Sequence, residues 1–234
     1  MVKKAVILAA GQGKRMEELT KFLPKPLLPI NNRPFLFYTL KTLKELGFQE
    51  IGIVVHYKKE KIRKFLKKHK LKAVLIEQKK LLGTGHALKA VKNFAREDNF
   101  LVLMGDDYYS KENIKLISQK DDRYSYLLGY KHKNPERFGV LIEKNGFLKR
   151  IVEKPKKFIS NLVNIGLYKL SPEIFKALEK TNLSKRGEYE LTDALSLLAK
   201  FKKVKVLKVN KGWLSMNTPE EAEIMDLFFT KNFH

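Results

Sequence analysis

Two glycines one residue apart, Gly11 and Gly13, stop an apolar run from Ala5 to Ala10, and cations follow at Arg15 and at Lys25, a lysine bracketed by Pro24 and Pro26. A strand ending in such a loop can handle phosphate. Glycine lets the backbone turn tightly and brings its N–H groups close to an anion, while Arg15 and Lys25 supply formal charge. The familiar glycine loops do not fit: a P-loop needs glycine at Leu8 and Ser or Thr at Arg15, and the dinucleotide fingerprint needs a third glycine at Met16. A glycine pair after a strand is equally compatible with an ordinary strand-to-helix turn, so the pair alone leaves both readings open.

A second candidate site is Gly105-Asp106-Asp107, which follows an apolar run from Phe100 to Met104. Paired acids at the end of a buried strand suit Mg²⁺, which takes hard oxygen ligands and substrate phosphates; a turn with a helix cap would use the same residues. Gln78, just past another apolar run, carries a two-sided amide able to read a base edge. Gly83-Thr84-Gly85-His86 reads as a helix start or as backbone contact to a planar ligand, with His86 structural because no proton-relay partner lies near it in the chain. Downstream, Phe138-Gly139, Glu153-Lys154-Pro155 and Asn164-Ile165-Gly166 set polar residues among apolar ones, a pattern that fits a polyol pocket or a solvated strand face.

The elements that must hold these residues alternate. Leu36, Leu40 and Leu43 give a helix over 35–46 closed by Gly47, 51–55 reads as a buried strand, and Ile62, Phe65 and Leu66 mark one face of a cationic helix over 60–68. A strand over 73–76, a helix capped by Thr84 and running to about Arg96, and the strand 100–104 complete the first half. Strand and helix at this spacing predict a parallel sheet with right-handed crossovers, whose ligands gather at the carboxyl ends of the strands. After Asp107 the texture turns β-rich, at 124–130, 139–143, 147–152 and 162–170, with Asn145-Gly146 as a hairpin signal. Helices follow at 172–179 and about 189–201, then a strand at 204–209, and Thr218-Pro219-Glu220-Glu221 opens the last helix as a capping box. The expected fold is α/β: one Rossmann-like domain over 1–234 with a mixed, mostly parallel sheet flanked by helices, its first half, about 1–110, nucleotide-binding in style and its second half, about 111–234, β-rich.

Composition narrows the class. At 234 residues and 44% hydrophobic the chain can bury a substantial core, and the absence of cysteine excludes disulfides and thiolate metal sites. Gly11 and Arg15 interrupt the apolar N-terminal run, which argues against a signal peptide, and no run approaches a membrane span, so the cytoplasm is the default location. A net charge of +23 raises nucleic-acid binding. The lysines are spread along the whole chain, and aromatics do not interleave with the densest run, 58–72, as a stacking platform requires, so no nucleic-acid partner is expected.

Taken together, the first loop with Pro24-Lys25-Pro26-Leu27, the motifs at 83–87, 105–107, 138–139, 153–155 and 164–166, Gly187-Glu188-Tyr189-Glu190-Leu191-Thr192-Asp193 and 218–221 resemble the sugar-1-phosphate nucleotidyltransferases over essentially the full chain. Within that family the resemblance is nearest to uridylyltransferase domains acting on N-acetylglucosamine 1-phosphate or glucose 1-phosphate. It does not extend to the hexapeptide-repeat β-helix that often follows such a domain, so no acetyltransferase activity is implied. The resemblance implies a nucleotidyl transfer from a nucleoside triphosphate, UTP foremost, to a sugar 1-phosphate, with Mg²⁺ as cofactor and pyrophosphate released. It assigns Leu8, Ala9, Ala10, Gly11, Gly13, Gln78, Gly83, Thr84 and Gly105 to the nucleotide, and Arg15 and Lys25 to its phosphates. Gly139, Glu153, Lys154 and Asn164 fall to the sugar phosphate, and Asp106 and Asn217 to the metal. Many relatives carry an aspartate where this chain has Ser215, and Phe138 stands where a tyrosine is common. A cytidylyltransferase for a polyol or choline phosphate shares the loop and the metal site, and a basic nucleic-acid-binding module is the alternative from another class.

Overall fold

A computed structural model describes residues 1–16 and 18–233, and its elements follow in chain order. The first half contains β1 (Lys4–Leu8), α1 (Glu18–Phe22), the short strands β2 (Pro29–Ile30) and β3 (Arg33–Pro34), α2 (Phe35–Glu45), β4 (Glu50–Val55) and α3 (Lys59–Lys68). It continues through β5 (Val74–Glu77), α4 (Thr84–Lys89), α5 (Lys92–Ala95), β6 (Phe100–Met104) and β7 (Asp107–Tyr109). The second half adds α6 (Lys111–Ser118), β8 (Ser125–Lys131), β9 (Gly139–Lys144), β10 (Phe147–Glu153), β11 (Leu162–Leu170), α7 (Glu173–Glu179), α8 (Leu191–Ala199), β12 (Val204–Val209), β13 (Trp213–Ser215) and α9 (Pro219–Asn232).

Nine strands form the main sheet in the order β5-β4-β1-β6-β11-β8-β12-β10-β9. β5, β4, β1 and β6 pair in parallel, so the loops leaving their carboxyl ends lie side by side. β11 then runs antiparallel to both β6 and β8, and the sheet curls until β9 touches β11 at Val163 and Val140 as well as pairing with β10. The mixed, mostly parallel sheet expected from the alternating texture is thus present, with the antiparallel pairings concentrated in the β-rich half.

The strand runs are apolar because each face of the sheet is covered. Along β1, Val6 and Leu8 join the core under α4, α7 and α8, while Ala5 and Ile7 join the core under α2, α3 and α6. Leu36, Leu40 and Leu43 are buried in α2 as their spacing predicts, and Gly47 closes that helix with φ of +78°. On cationic α3 only Ile62, Phe65 and Leu66 are buried, so its lysines face solvent. Asn145 and Gly146 both take left-handed φ at the β9–β10 turn, the conformation that the hairpin signal requires. A third cluster packs α9 onto the β2–β3 hairpin through Ile30, Phe35, Met216, Met225 and Phe229.

Three expectations change. The helix read from Thr84 to about Arg96 is two pieces, α4 and α5, because Val91 N–H bonds Leu88 O and the chain tightens between them. The helix read at about 189–201 spans only Leu191–Ala199. The capping box at 218–221 is half formed: Thr218 Oγ1 accepts from Glu221 N–H at 3.3 Å, but the Glu221 carboxylate passes the cap and accepts from Asn217 N–H at 2.7 Å.

Candidate active site

The carboxyl ends of β5, β1 and β6 open into a cleft of about 490 Å³, whose lining includes Leu8 to Gly13, Arg15, Lys25, Gln78, Gly83, Thr84, Met104, Gly105, Asp106, Glu188 and Asn217. All of the nucleotide-side residues expected from the sequence therefore meet in one place. Glu188 joins them; the motif at 187–193 contained it, but nothing in its type or spacing marked it as part of a cleft wall.

The two loop glycines serve different ends. Gly13 has φ of +67°, and a Cβ there would come within 2.8 Å of Thr20 Cγ2, so the turn itself requires glycine. A Cβ on Gly11 would meet nothing within 4 Å, so its small size leaves the cleft floor open. At Gly105 a Cβ would come within 2.9 Å of Leu8 O, and the Gly105 N–H donates to that oxygen at 2.9 Å. This contact draws the end of β6 against the end of β1 and sets Asp106 beside the glycine loop.

Lys25 lies in a single helical turn over Lys25–Leu27 behind Pro24, and it is only 7% exposed. Its ammonium donates to Asp106 Oδ2 at 2.5 Å and to Asn217 Oδ1 at 3.4 Å, and Arg15 Nη2 donates to the same Asn217 oxygen at 3.0 Å. Oxygens from two distant parts of the chain thus converge on one cation.

Asn217 reaches the cleft through a ladder the sequence did not reveal. β7 and β13 pair antiparallel, Ser215 opposite Asp107 and Trp213 opposite Tyr109, and Met216 N–H donates to Asp106 O at 3.1 Å. Glu221 then clamps the loop: Oε2 accepts from Ser215 Oγ at 2.9 Å and Asn217 N–H at 2.7 Å, while Oε1 accepts from Arg137 at 2.7 Å. Ser215 therefore braces the loop and does not enter the cleft lining.

The paired acids divide their roles. Asp106 faces the cleft, whereas Asp107 is buried, its Oδ2 accepting from Trp213 Nε1 at 3.2 Å with the Tyr109 hydroxyl at 3.3 Å. Burial, with the charge of Asp106 beside it, pushes the Asp107 carboxyl well above the usual carboxylate range. Among the described residues no group of three or more His, Cys, Asp or Glu side chains gathers as a metal cage.

Gly83 and Gly85 serve the joint between two loops. Cβ atoms there would come within 2.7 and 2.8 Å of Tyr189 O, Gly85 N–H donates to that oxygen at 2.7 Å, and Tyr189 N–H donates to Leu82 O at 2.8 Å. Thr84 is the first residue of α4 and does not cap it. Its Oγ1 accepts from Leu191 N–H at 3.1 Å, satisfying the start of α8 instead.

The sugar-side residues Gly139, Glu153, Lys154 and Asn164 are outside the cleft lining; Gly139, Glu153 and Asn164 lie on β9, β10 and β11, and Lys154 directly follows β10. Gly139 makes room for a carboxylate, since a Cβ there would stand 2.8 Å from Glu153 Oε1. Asn164 Nδ2 donates to the Tyr168 hydroxyl at 2.7 Å, and its Oδ1 accepts from Gly166 N–H at 3.2 Å. Between these residues β11 bulges at Gly166, φ +76°, whose backbone packs against the cleft residue Met104. Burial, opposed by the Asn164 hydrogen bond and reinforced by the charges of Glu153, Asp107 and Glu190, pushes the Tyr168 hydroxyl up. Lys154 is exposed, with φ of +44° and its N–H on Phe138 O.

This sheet, with a cleft at the parallel end and a curled β half beside it, defines the nucleotide-diphospho-sugar transferase fold. A solved UDP-glucose pyrophosphorylase in complex with UDP-glucose matches it with a TM-score of 0.86 at 26% identity, over 99% of both chains. The chain belongs to the nucleotidyl transferase family, whose model matches residues 4–220. Among curated relatives, the bifunctional protein GlmU of Methanocaldococcus jannaschii is 39% identical over 218 residues, which is 92% of this chain and 51% of that protein. A bifunctional sugar-1-phosphate nucleotidylyltransferase/acetyltransferase of Sulfurisphaera tokodaii is 37% identical over 219 residues, 92% of this chain and 53% of its own. The chain thus spans about half the length of the curated relatives it matches. Among the described residues no helix is long and apolar enough to cross a membrane.

Proposed function

We propose that the chain transfers a nucleotidyl group from a nucleoside triphosphate to a sugar 1-phosphate, UTP and N-acetylglucosamine 1-phosphate or glucose 1-phosphate being the foremost pair, and releases pyrophosphate. The observation that carries this reading is the convergence of Asp106 and Asn217 on the Lys25 ammonium in the cleft lining, with Arg15 donating to the same Asn217 oxygen. In the reaction a phosphate oxygen of the sugar 1-phosphate attacks the α-phosphorus in line. One oxygen–phosphorus bond forms there, and the bond from that phosphorus to the bridging oxygen of the leaving pyrophosphate breaks. Lys25 and Arg15 hold the triphosphate and neutralise the developing charge, so catalysis rests on positioning and electrostatics. Leu8 to Gly11, Gly13, Gly83, Thr84 and Gly105 accommodate the nucleoside, and Gln78 contacts the base. Glu153 and Asn164 contact the sugar hydroxyls beside Gly139, with Lys154 near the sugar phosphate. The residues over 1–110 and 111–234 act as one domain, a cytoplasmic enzyme in this reading, with no nucleic-acid partner.

Mg²⁺ fits the groups present. Asp106 and Asn217 offer two hard oxygens that already share a cation, and with no further acids clustered there the remaining coordination falls to phosphate and water, as this ion prefers. When bound it supplies charge neutralisation at the reacting phosphate. Glu221, which orients Asn217 without entering the cleft lining, is then part of the support for this ion. Glu221→Ala is expected to raise the Mg²⁺ concentration for half-maximal activity by roughly 10- to 100-fold. An unchanged Mg²⁺ dependence in a folded variant would separate Asn217 from the metal.

Pyrophosphate release, measured for five nucleoside triphosphates against several sugar 1-phosphates with Mg²⁺, tests the whole reading and fixes base and sugar. Turnover is expected with UTP or dTTP. Silence across the matrix from folded protein would overturn the proposal.

A further inference from the structure

Gln78 is held by four tethers. Its N–H donates to Val55 O at 2.9 Å, and its carbonyl accepts from His56 Nδ1 at 2.6 Å. Its side-chain nitrogen Nε2 lies 3.2 Å from Gly83 O and 3.1 Å from His86 Nδ1. Gly83 O can only accept, so the amide must present its nitrogen there; the reversed amide would set oxygen against oxygen. Nε2 can only donate, so His86 Nδ1 must accept, which makes the imidazole neutral with its proton on Nε2. Burial, followed by the charges of Lys89 and Lys80, lowers the proton affinity of that ring and favours this state. The one polar atom of Gln78 left without a partner is Oε1. Among the described residues only Thr192 Oγ1 is both unpartnered and shut off from solvent, so Oε1 opens onto the cleft that Gln78 lines. His86 itself does not line that cleft.

We propose that His86 is a positioning residue for base selection, its Nδ1 joining Gly83 O in holding the Gln78 amide with Oε1 turned toward the bound base. This rests on the nucleotidyl-transfer reading of the cleft and deepens it. A fixed acceptor at that point takes a base that offers an N–H, as uracil and thymine do at N3. Cytosine offers a lone pair at the same ring position, and this hold prevents the amide from turning over to meet it. His86 acts through Gln78 and touches no substrate, which separates its role from a merely structural one: removing it alters which base is bound, beyond how firmly the chain folds.

Calorimetric titration of the full chain with UTP and with CTP, in the presence of Mg²⁺ and without sugar phosphate, reads this directly. The wild type is expected to bind UTP at least about tenfold more tightly than CTP. His86→Leu, which leaves Nε2 with Gly83 O as its one acceptor and so weakens the hold on the amide, is expected to lose about tenfold of that ratio, the scale of one hydrogen bond. His86→Asn, whose Oδ1 stands where Nδ1 stood, is expected to retain it. A folded His86→Leu protein with an undiminished ratio, or a folded His86→Asn protein that loses it, would overturn the role of His86 while leaving the site reading intact. A wild type that prefers CTP would overturn the amide assignment. A wild type that binds neither nucleotide would overturn the site reading, and the proposal with it.

Discussion

Lys25→Met is expected to lower kcat/KM for nucleotidyl transfer by on the order of 10²- to 10³-fold at saturating Mg²⁺, the scale of removing one preorganised charged donor from a reacting centre. Methionine is the instructive replacement because it nearly keeps the volume of a side chain only 8% exposed and removes only the ammonium. In the wild-type cleft that ammonium is shared by Asp106 and Asn217, and Asp106 is itself 30% exposed toward the space the triphosphate would enter. Without the ammonium, the triphosphate loses one of the two side-chain cations that neutralise it, and Asp106 loses its 2.5 Å partner. Arginine would be a poor substitute, since a planar fork cannot occupy the place of a compact point charge between two oxygens. Steady-state kinetics with the nucleotide varied checks this. Turnover within a few-fold of wild type would mean that Lys25 serves the fold and not the reaction.

The second large effect is expected from Gly83→Ala. The backbone there has φ of +93°, and the added Cβ would stand 2.7 Å from Tyr189 O, 2.8 Å from Glu188 Cβ and 3.1 Å from Tyr189 N. Left-handed strain and overpacking against backbone together cost about 2–4 kcal/mol, or roughly 5–15 °C in Tm for a chain of this size. To relieve the contact the loops at 82–85 and 188–190 must separate, which loosens the Gly85–Tyr189 and Thr84–Leu191 hydrogen bonds and withdraws Glu188 from the cleft wall. Nucleotide affinity is expected to fall with stability. Thermal unfolding and UTP titration of the variant test both, and a Tm within about 2 °C of wild type would show that the joint tolerates a side chain.

Much of the fold could be read from local chemistry. β1, β4 and β6 are short apolar runs because parallel strands are covered on both faces, and the residues just beyond β1, β5 and β6 met at one cleft as that topology requires. What stayed hidden was formed by distant partners. β7 and β13 are three residues each and partly polar, so neither carries a period of its own, yet their pairing is what brings Asn217 to Asp106. Thr84 has the type and position of a cap, but its hydroxyl serves a helix that begins 107 residues later. Glu221 sits where a capping box wants a glutamate, but its carboxylate is drawn to Ser215, Asn217 and Arg137, a choice only tertiary packing decides. The bulge at Gly166, which sets the β11 residues against Met104, likewise leaves no local trace beyond the glycine.

Phosphorus NMR of the protein with Mg²⁺, UTP and a sugar 1-phosphate tests the role of the cleft most directly. The expected result is the diphosphate signals of a nucleotide sugar and a signal of free pyrophosphate growing in equal amounts, only when both substrates are present, and absent with Asp106→Asn. Orthophosphate in place of pyrophosphate, product formed without the sugar 1-phosphate, or undiminished product from the Asp106 variant would contradict it.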